Sequence, residues 1–403
     1  MMAEVKWKRL PLNANYAVAY AVKDVDVDVV AAYPITPQTT VVEKISEFIA
    51  NGELDAEMIH VESEHSALSA CVGASAAGAR VFTATAAQGL ELMHEILHIA
   101  SGLRLPIVMT IATRALSAPI SIWCDYSDVM NARDASWVTM FVSSAQEAYD
   151  SVIQAFKIAE HPDVLLPVMV AYDGFIMSHT YEPVLVAEDP APIREFVPKR
   201  RDRIVLDPEK PVTMGPIAMP EWYYEIKYQQ VEAMKNAYKV VKEVTEEFAK
   251  RFGRNYPVVE TYRLEDAEIG ILTYGALYGT LREAVDMMRS KGMKVGAIKL
   301  RLWRPFPYEE VLQAVKHLKL LIVADRAISY GARIAGPVAL EIMSLLLYES
   351  ERPEVMSVVI GIGQRTVTEE DFEQIAKLGA KWLEEKRIPK ETIYWGVRGV
   401  TYA

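Results

Sequence analysis

Cysteine is nearly missing from this chain: 403 residues contain only Cys71 and Cys124. Two thiols are too few for a disulfide framework, a four-cysteine zinc site or a set of iron–sulfur ligands, and a reducing cytoplasm is the expected compartment. Long hydrophobic runs are missing too. No stretch of about 18 apolar residues occurs, and the first residues, MMAEVKWKRLPLN, lack the apolar core of a secretory signal, so neither membrane insertion nor export is expected. Positive charge is in deficit: 43 Lys and Arg stand against 54 Asp and Glu, a net charge of −11. Such a balance gives no footprint for nucleic acid or an anionic membrane, which leaves small molecules and other proteins as partners. No fixed-period repeat is visible, which sets aside solenoids and propellers.

What is present is an ordinary globular composition, 51% hydrophobic and 24% charged, long enough for two or three domains. From residue 14 to about 171, short β-branched runs alternate with helical periodicities, the pattern of a parallel sheet flanked by helices. Strands are predicted at 27–33, 57–61, 81–85, 106–111, 137–142 and 164–171. Between the first two, Val41, Ile45, Phe48 and Ile49 form one helical face. Thr36 is the expected cap of that helix, Pro37 its first residue and Asn51-Gly52 its stop. Ser144 and Glu147 match a capping box. Residues 183–220 hold eight prolines and read as an irregular connection. A long helix is predicted at 221–252 with Gly253 ending it. Beyond it the alternation resumes, with strands at 268–274, 294–302, 319–324 and 357–361, and a second, smaller α/β domain starts near 260.

His94-Glu95-Ile96-Leu97-His98 matches the HExxH zinc pattern. The residues that follow lead straight into a buried strand and offer no third ligand, so packed helix positions are the better account. Three predicted strand ends carry the more informative polar groups, because ligands of open parallel sheets bind outside the carboxyl ends of the strands. These ends are Tyr33-Pro34-Ile35-Thr36-Pro37, then Val61-Glu62-Ser63-Glu64-His65, then Thr113-Arg114-Ala115-Leu116. A hydroxyl, a carboxylate and a guanidinium would meet in one crevice. Singly, each has a plain alternative: Thr36 as a cap, Glu64 at a helix N-terminus, Arg114 paired with Asp125 or Asp128.

At these residues the sequence resembles the alpha chain of the archaeal-type 2-oxoacid:ferredoxin oxidoreductases, in the pyruvate and branched-chain branch. The resemblance rests on YPITP at 33–37, VESEHSA at 61–67, GASAAGARVFTATAAQGLELMHE at 73–95, TRAL at 113–116 and RPFP at 304–307, and it spans nearly the whole chain. It implies an α/β fold in which 1–182 is a pyrimidine-binding-like domain of thiamine diphosphate enzymes. Residues 183–259 would be a proline-rich connection with a long helix, and 260–403 a transketolase C-terminal-like domain. The implied reaction is oxidative decarboxylation of pyruvate or a related 2-oxoacid with CoA, electrons passing to ferredoxin. Glu64, rather than Glu62, would bind the cofactor's aminopyrimidine ring and act in catalysis. Thr36 and Arg114 would hold the substrate carboxylate. The family anchors diphosphate and magnesium through Gly-Asp-Gly followed by an Asn; here the nearest match is Tyr172-Asp173-Gly174, with no Asn before Asn236. Thiamine pyrophosphate and Mg2+ are therefore expected mainly on a beta subunit, and [4Fe-4S] clusters on a delta subunit, with a gamma subunit completing the assembly. No metal is assigned to this chain. A non-oxidative thiamine enzyme and a noncatalytic assembly chain are the competing classes.

Two departures from the family pattern stand out. Thr113 replaces the usual Asn or Gly before the arginine, and Arg133-Asp134-Ala135-Ser136-Trp137 replaces RDTGW. If the second loop shaped the acyl pocket, substrate preference would shift away from pyruvate.

Overall fold

The structure, a computed structural model, describes residues 5–200 and 203–402; the extreme N-terminus read above (1–4), Arg201, Asp202 and Ala403 lie outside them. Strand β1 (Trp7–Leu12) is followed by β2 (Val29–Ala32), β3 (Glu57–His60), β4 (Val81–Thr85), β5 (Ile107–Thr113), β6 (Val138–Phe141) and β7 (Val168–Asp173). Then come β8 (Glu182–Ala187), β9 (Val259–Tyr262), β10 (Ile269–Thr273), β11 (Val295–Leu300) and β12 (Leu302–Arg304). Strands β13 (Leu320–Asp325), β14 (Glu354–Val359) and β15 (Ile393–Tyr394) complete the set.

All six strands expected in the first half form one sheet in the order β12-β6-β7-β5-β4-β2-β3, parallel throughout except for β12. Every residue of β4, β5 and β7 is buried. Helices on both faces leave such strands no wet side, which is why they read as continuous apolar runs. A second sheet, β15-β14-β13-β10-β11-β9, is parallel apart from β9. The fold class is thus α/β, as read from the sequence.

The two sheets are not sealed from one another. Strand β12, only one residue beyond β11 of the second sheet, pairs antiparallel with β6 at the edge of the first. One apolar cluster runs through Met109, Tyr126 and Phe141 into Tyr274, Ile298 and Trp303. Phe141 stacks on Tyr274 at 4.9 Å. Lys299 places its ammonium 2.7 Å from the buried Glu147 carboxylate.

Several local expectations are corrected. The helix after β2 starts at Thr39 with Gln38 as its N-cap, so Thr36 caps nothing and Pro37 precedes the helix. The intervening turn is held instead by Asn15, which donates to the Pro37 carbonyl at 2.8 Å, and by Gln38, which donates to the Tyr33 carbonyl at 3.0 Å. Ser144 does cap its helix, yet Glu147 accepts from Ser143 N, one residue before the cap, so the box is half formed. Residues 183–220 are less irregular than their prolines suggest: they contain most of β8, paired antiparallel with β1, and a short helix at Ala191–Phe196. The long helix runs Pro220–Phe252, with proline in its first turn and Gly253 at φ 75° closing it. Among the described residues no helix is long and apolar enough to cross a membrane.

Candidate active site at the strand ends of the first sheet

Thr36, Glu64 and Arg114 follow β2, β3 and β5, which lie with β4 as four adjacent strands. Their carboxyl ends open on one edge and carry all three predicted residues: Thr36 and Arg114 touch there, and Glu64 stands after β3, three places from β5.

Glu64 is the first residue of helix Glu64–Ala76, whose N-cap Ser63 accepts from Ser66 N at 3.2 Å. A carboxylate is favoured at this position by the helix dipole. Its side chain turns inward and is 7% exposed, yet its carboxylate meets no donor among the described residues. Gly89, just after β4, forms the facing wall: a Cβ there would stand 2.7 Å from Glu64 Oε1 and 2.5 Å from Thr85 Oγ1. Thr85 Oγ1 is itself buried without a partner, and so is Gln88 Nε2. Buried polar atoms in a folded protein are nearly always satisfied, so an unsatisfied hydroxyl beside a bare carboxylate marks a place built for something else. Glu62, by contrast, is exposed and engaged with the Ser66 hydroxyl, which pulls its carboxyl below the usual range.

Arg114 is 7% exposed. Its Nε donates to the Ser121 carbonyl and its Nη1 to the Thr36 carbonyl, each at 3.0 Å, while Nη2 meets no acceptor among the described residues. Burial lowers its pKa, though not enough to discharge a guanidinium. The alternative, an ion pair with Asp125 or Asp128, does not form among the described residues. Asp128 instead accepts from the backbone N–H of Arg114 at 3.0 Å, and Asp125 spans to the second half of the chain through Gly363 N, also at 3.0 Å. Arg114 is therefore held by neutral carbonyls, with its charge unspent. Thr36 is exposed and touches Arg114 through its carbonyl.

Tyr172-Asp173-Gly174 has no vacancy for diphosphate. Asp173 Oδ2 accepts from Tyr126 Oη at 2.7 Å and Ala276 N at 2.8 Å, and Oδ1 pairs with Arg326. A Cβ on Gly174 would lie 2.4 Å from the Thr113 carbonyl, so the glycine serves close packing. Among the described residues no group of three or more His, Cys, Asp or Glu could hold a metal. His94 and His98 face each other at 5.3 Å on helix His94–Gly102 without a third ligand. The 133–137 loop is also placed differently from the expectation that it lines the acyl pocket. It precedes β6, whose Val138 is in register with Val168 at the start of β7, whereas Thr113 is in register with Asp173 at its end. Five residues of strand, about 17 Å, separate the two levels.

The deciding comparison is with known families. The family described as pyruvate flavodoxin/ferredoxin oxidoreductase, thiamine diphosphate-binding, matches residues 20–246, and the pyruvate:ferredoxin oxidoreductase core domain II matches 267–372. The chain belongs to this oxidoreductase family. It is 48% identical to the pyruvate synthase subunit PorA of Pyrococcus abyssi, over 97% of this chain and 98% of that one. It is 45% identical to the ketoisovalerate oxidoreductase subunit VorA of the same organism, over 98% and 100%. In fold it is similar to a 2-oxoglutarate:ferredoxin oxidoreductase from Magnetococcus marinus, solved with 2-oxoglutarate, coenzyme A and succinyl-CoA bound (TM-score 0.69, 19% identity, 92% of this chain and 65% of that one). It is also similar in fold to a split-gene transketolase (TM-score 0.51, 10% identity, 92% and 96%). The two solved structures thus share the overall fold of this chain.

For a thiamine cofactor, the residues present fit one end of the molecule. A buried, unpartnered carboxylate beside an orphan hydroxyl, with a wall kept clear by glycine, suits the N–H edge of an aminopyrimidine ring. Nothing at Asp173 suits the diphosphate end. Sequence reasoning found Glu64 and Arg114 by their place at strand ends; it missed Thr85 and Gly89, which were inside the quoted 73–95 run and carried no chemistry of their own.

Proposed function

We propose that this chain is the alpha subunit of a 2-oxoacid:ferredoxin oxidoreductase that converts pyruvate or a related 2-oxoacid and CoA to acyl-CoA and CO2, releasing two electrons and a proton. What carries the reading is the pair of unspent charges, Glu64 and Arg114, at the carboxyl ends of β3 and β5 on one edge of the sheet in a member of this family. Bound thiamine diphosphate supplies a carbon nucleophile and an electron sink for the decarboxylation. Glu64 accepts a hydrogen bond from the aminopyrimidine ring and fixes where its proton rests. Arg114 presents Nη2 to the substrate carboxylate, and the Thr36 hydroxyl completes the clamp. The burial of Glu64 and Arg114 excludes water around the reacting end and strengthens their interactions.

The rest of the machinery belongs to other chains in this reading. A beta subunit holds the diphosphate and Mg2+, a delta subunit carries [4Fe-4S] clusters, and a gamma subunit completes a cytoplasmic assembly that reduces ferredoxin. Residues 1–182, 183–259 and 260–403 are its three segments, with β12 reaching back from the last to the first.

The test is 2-oxoacid- and CoA-dependent reduction of a viologen dye by the purified native assembly, with and without Glu64→Gln. The variant should assemble, retain its iron and lose about 10²-fold or more in turnover. Near-normal turnover would remove Glu64 from the site, and an iron-free assembly that reduces no ferredoxin would point to a non-oxidative thiamine enzyme.

A further inference from the structure

Asp128 is used by none of the chemistry above, yet it is fully buried directly beneath the crevice. It sits in the short helix Ser127–Asn131. One of its oxygens, Oδ2, accepts two backbone N–H groups: that of Ala87 at 2.9 Å and that of Arg114 at 3.0 Å. The other, Oδ1, accepts its own Val129 N at 2.8 Å.

These two donors belong to the two walls of the site. Ala87 opens the helix that carries Gly89, the residue facing Glu64, and it is held at φ 42°, a backbone region that non-glycine residues rarely adopt. Arg114 begins the loop after β5. A single carboxylate oxygen that takes an N–H from each fixes the spacing between the loops after β4 and β5. The guanidinium and this carboxylate form no ion pair; the Asp128 charge favours the charged guanidinium from a distance, and the one direct hydrogen bond between the two residues is to the Arg114 main chain.

We infer that Asp128 is a positioning residue: by pinning Arg114 N to Ala87 N it sets where the Arg114 guanidinium meets the substrate carboxylate. This rests on the carboxylate-binding reading of Arg114. A misplacement on the order of 1 Å at such a site costs as much as about 10²-fold, so the pin is expected to matter although it touches no reactant.

The test is a double-mutant cycle in the assembled complex: Asp128→Asn, Arg114→Ala and the double variant, with KM for the 2-oxoacid and KM for CoA measured separately. Asp128→Asn keeps the shape but puts an amide against main-chain N–H groups. It should raise the 2-oxoacid KM about tenfold and leave the CoA KM unchanged, an estimate taken from the same misplacement range. The double variant should be no worse than Arg114→Ala alone, because both changes remove one interaction. Asp128→Ser, which is smaller and keeps a hydroxyl acceptor, repeats the measurement if the Asn variant does not assemble. Additive losses, equal effects on both KM values, or failure of both variants to assemble would each overturn the inference and leave Asp128 a structural residue. An unchanged 2-oxoacid KM in Arg114→Ala would instead overturn the carboxylate reading, and the inference with it.

Discussion

Two arginines reach the carboxyl edge of the first sheet, and they are treated in opposite ways. Arg326, which follows β13, is buried against the buried Asp173 at the end of β7. Burial alone would lower its pKa, but the Asp173 carboxylate outweighs that and holds the guanidinium charged. The same carboxylate takes the Tyr126 hydroxyl and Ala276 N, so it joins the loop before β6 and the helix after β10 in one network. Burial, first, and the neighbouring Asp173, second, keep the Cys124 thiol beside it far from ionising. Arg114, from the adjacent strand β5, has only carbonyls as side-chain hydrogen-bond partners among the described residues. A charge that is fully matched inside the protein holds the fold together, whereas one left unmatched at a strand end is available to a ligand.

The sharpest way to break this comparison is Asp173→Ala. Removing one partner of a buried pair strands the other, so the variant should lose about 3–5 kcal/mol of stability. Thermal or denaturant melting of the assembly checks it. A variant with wild-type stability but lost turnover would move Asp173 from the scaffold to the site.

Arg114→Ala should show the reverse signature. Its melting should change little, while kcat/KM falls by one to two decades, the equivalent of about 1.5–3 kcal/mol for a charge-assisted hydrogen bond. The loss should appear for every 2-oxoacid tried, because all of them share the carboxylate. Thr36→Ala should cost less, since the contact to Arg114 runs through the Thr36 carbonyl, which alanine retains. A change in substrate ranking without loss of efficiency on the best substrate would contradict the assignment.

A pH measurement separates the two regions further. Asp325 accepts Val338 N and Ala339 N at 3.0 Å each at the start of helix Pro337–Leu346. Burial raises its carboxyl to about 7. The folded state therefore binds this proton more tightly than the unfolded chain, whose carboxyl sits near 3.9, so the group's contribution to stability is greatest below about pH 4 and fades as pH rises to 7. Relative to Asp325→Asn, the wild-type assembly should lose about 2 kcal/mol between pH 5.5 and 7 and no more above pH 8. A pH-independent difference would show that Asp325 is ionised throughout. The ratio of 2-oxoacid KM values for the same pair should stay flat across this range, since Asp325 belongs to the matched region.

How much of this was legible follows the same division. The parallel strands were plain because residues such as those of β5 must be apolar on both faces, and the pattern is local. The pairing of β8 with β1 was not, because it joins residues about 175 positions apart and β8 opens a segment whose eight prolines read as irregular. The start of the helix at Thr39 rather than at Pro37 was set by Asn15, a tertiary partner that no local pattern reveals. Glu64 and Arg114 were visible as polar residues after strands. Their difference from Asp173, an equally polar residue after a strand, was invisible until Arg326 arrived from 153 positions away. Sequence shows where charges stand relative to strands; only the fold shows which of them are already matched.

The smallest expected effect concerns Ser136, which stands in place of the glycine of the RDTGW pattern that the resemblance implies. Its φ of 60° lies in the left-handed region, where a side chain costs on the order of 1 kcal/mol relative to glycine. The residue borders a groove of about 790 Å3 between Asp134, Lys227 of the long helix and Phe306. That groove lies beside the start of β6, at the edge of the sheet opposite Arg114. Ser136→Gly should therefore raise stability by about 1 kcal/mol or less, seen as a rise of a few degrees at most in melting, provided the added freedom of the unfolded chain does not cancel it. Relative rates on pyruvate, branched-chain and aromatic 2-oxoacids should stay as they are, because the side chain that is removed stands a strand's length from the carboxylate clamp. A reordered substrate ranking in Ser136→Gly would mean that the 133–137 loop communicates with the crevice after all, and the contrast drawn between the two edges of this sheet would then fail.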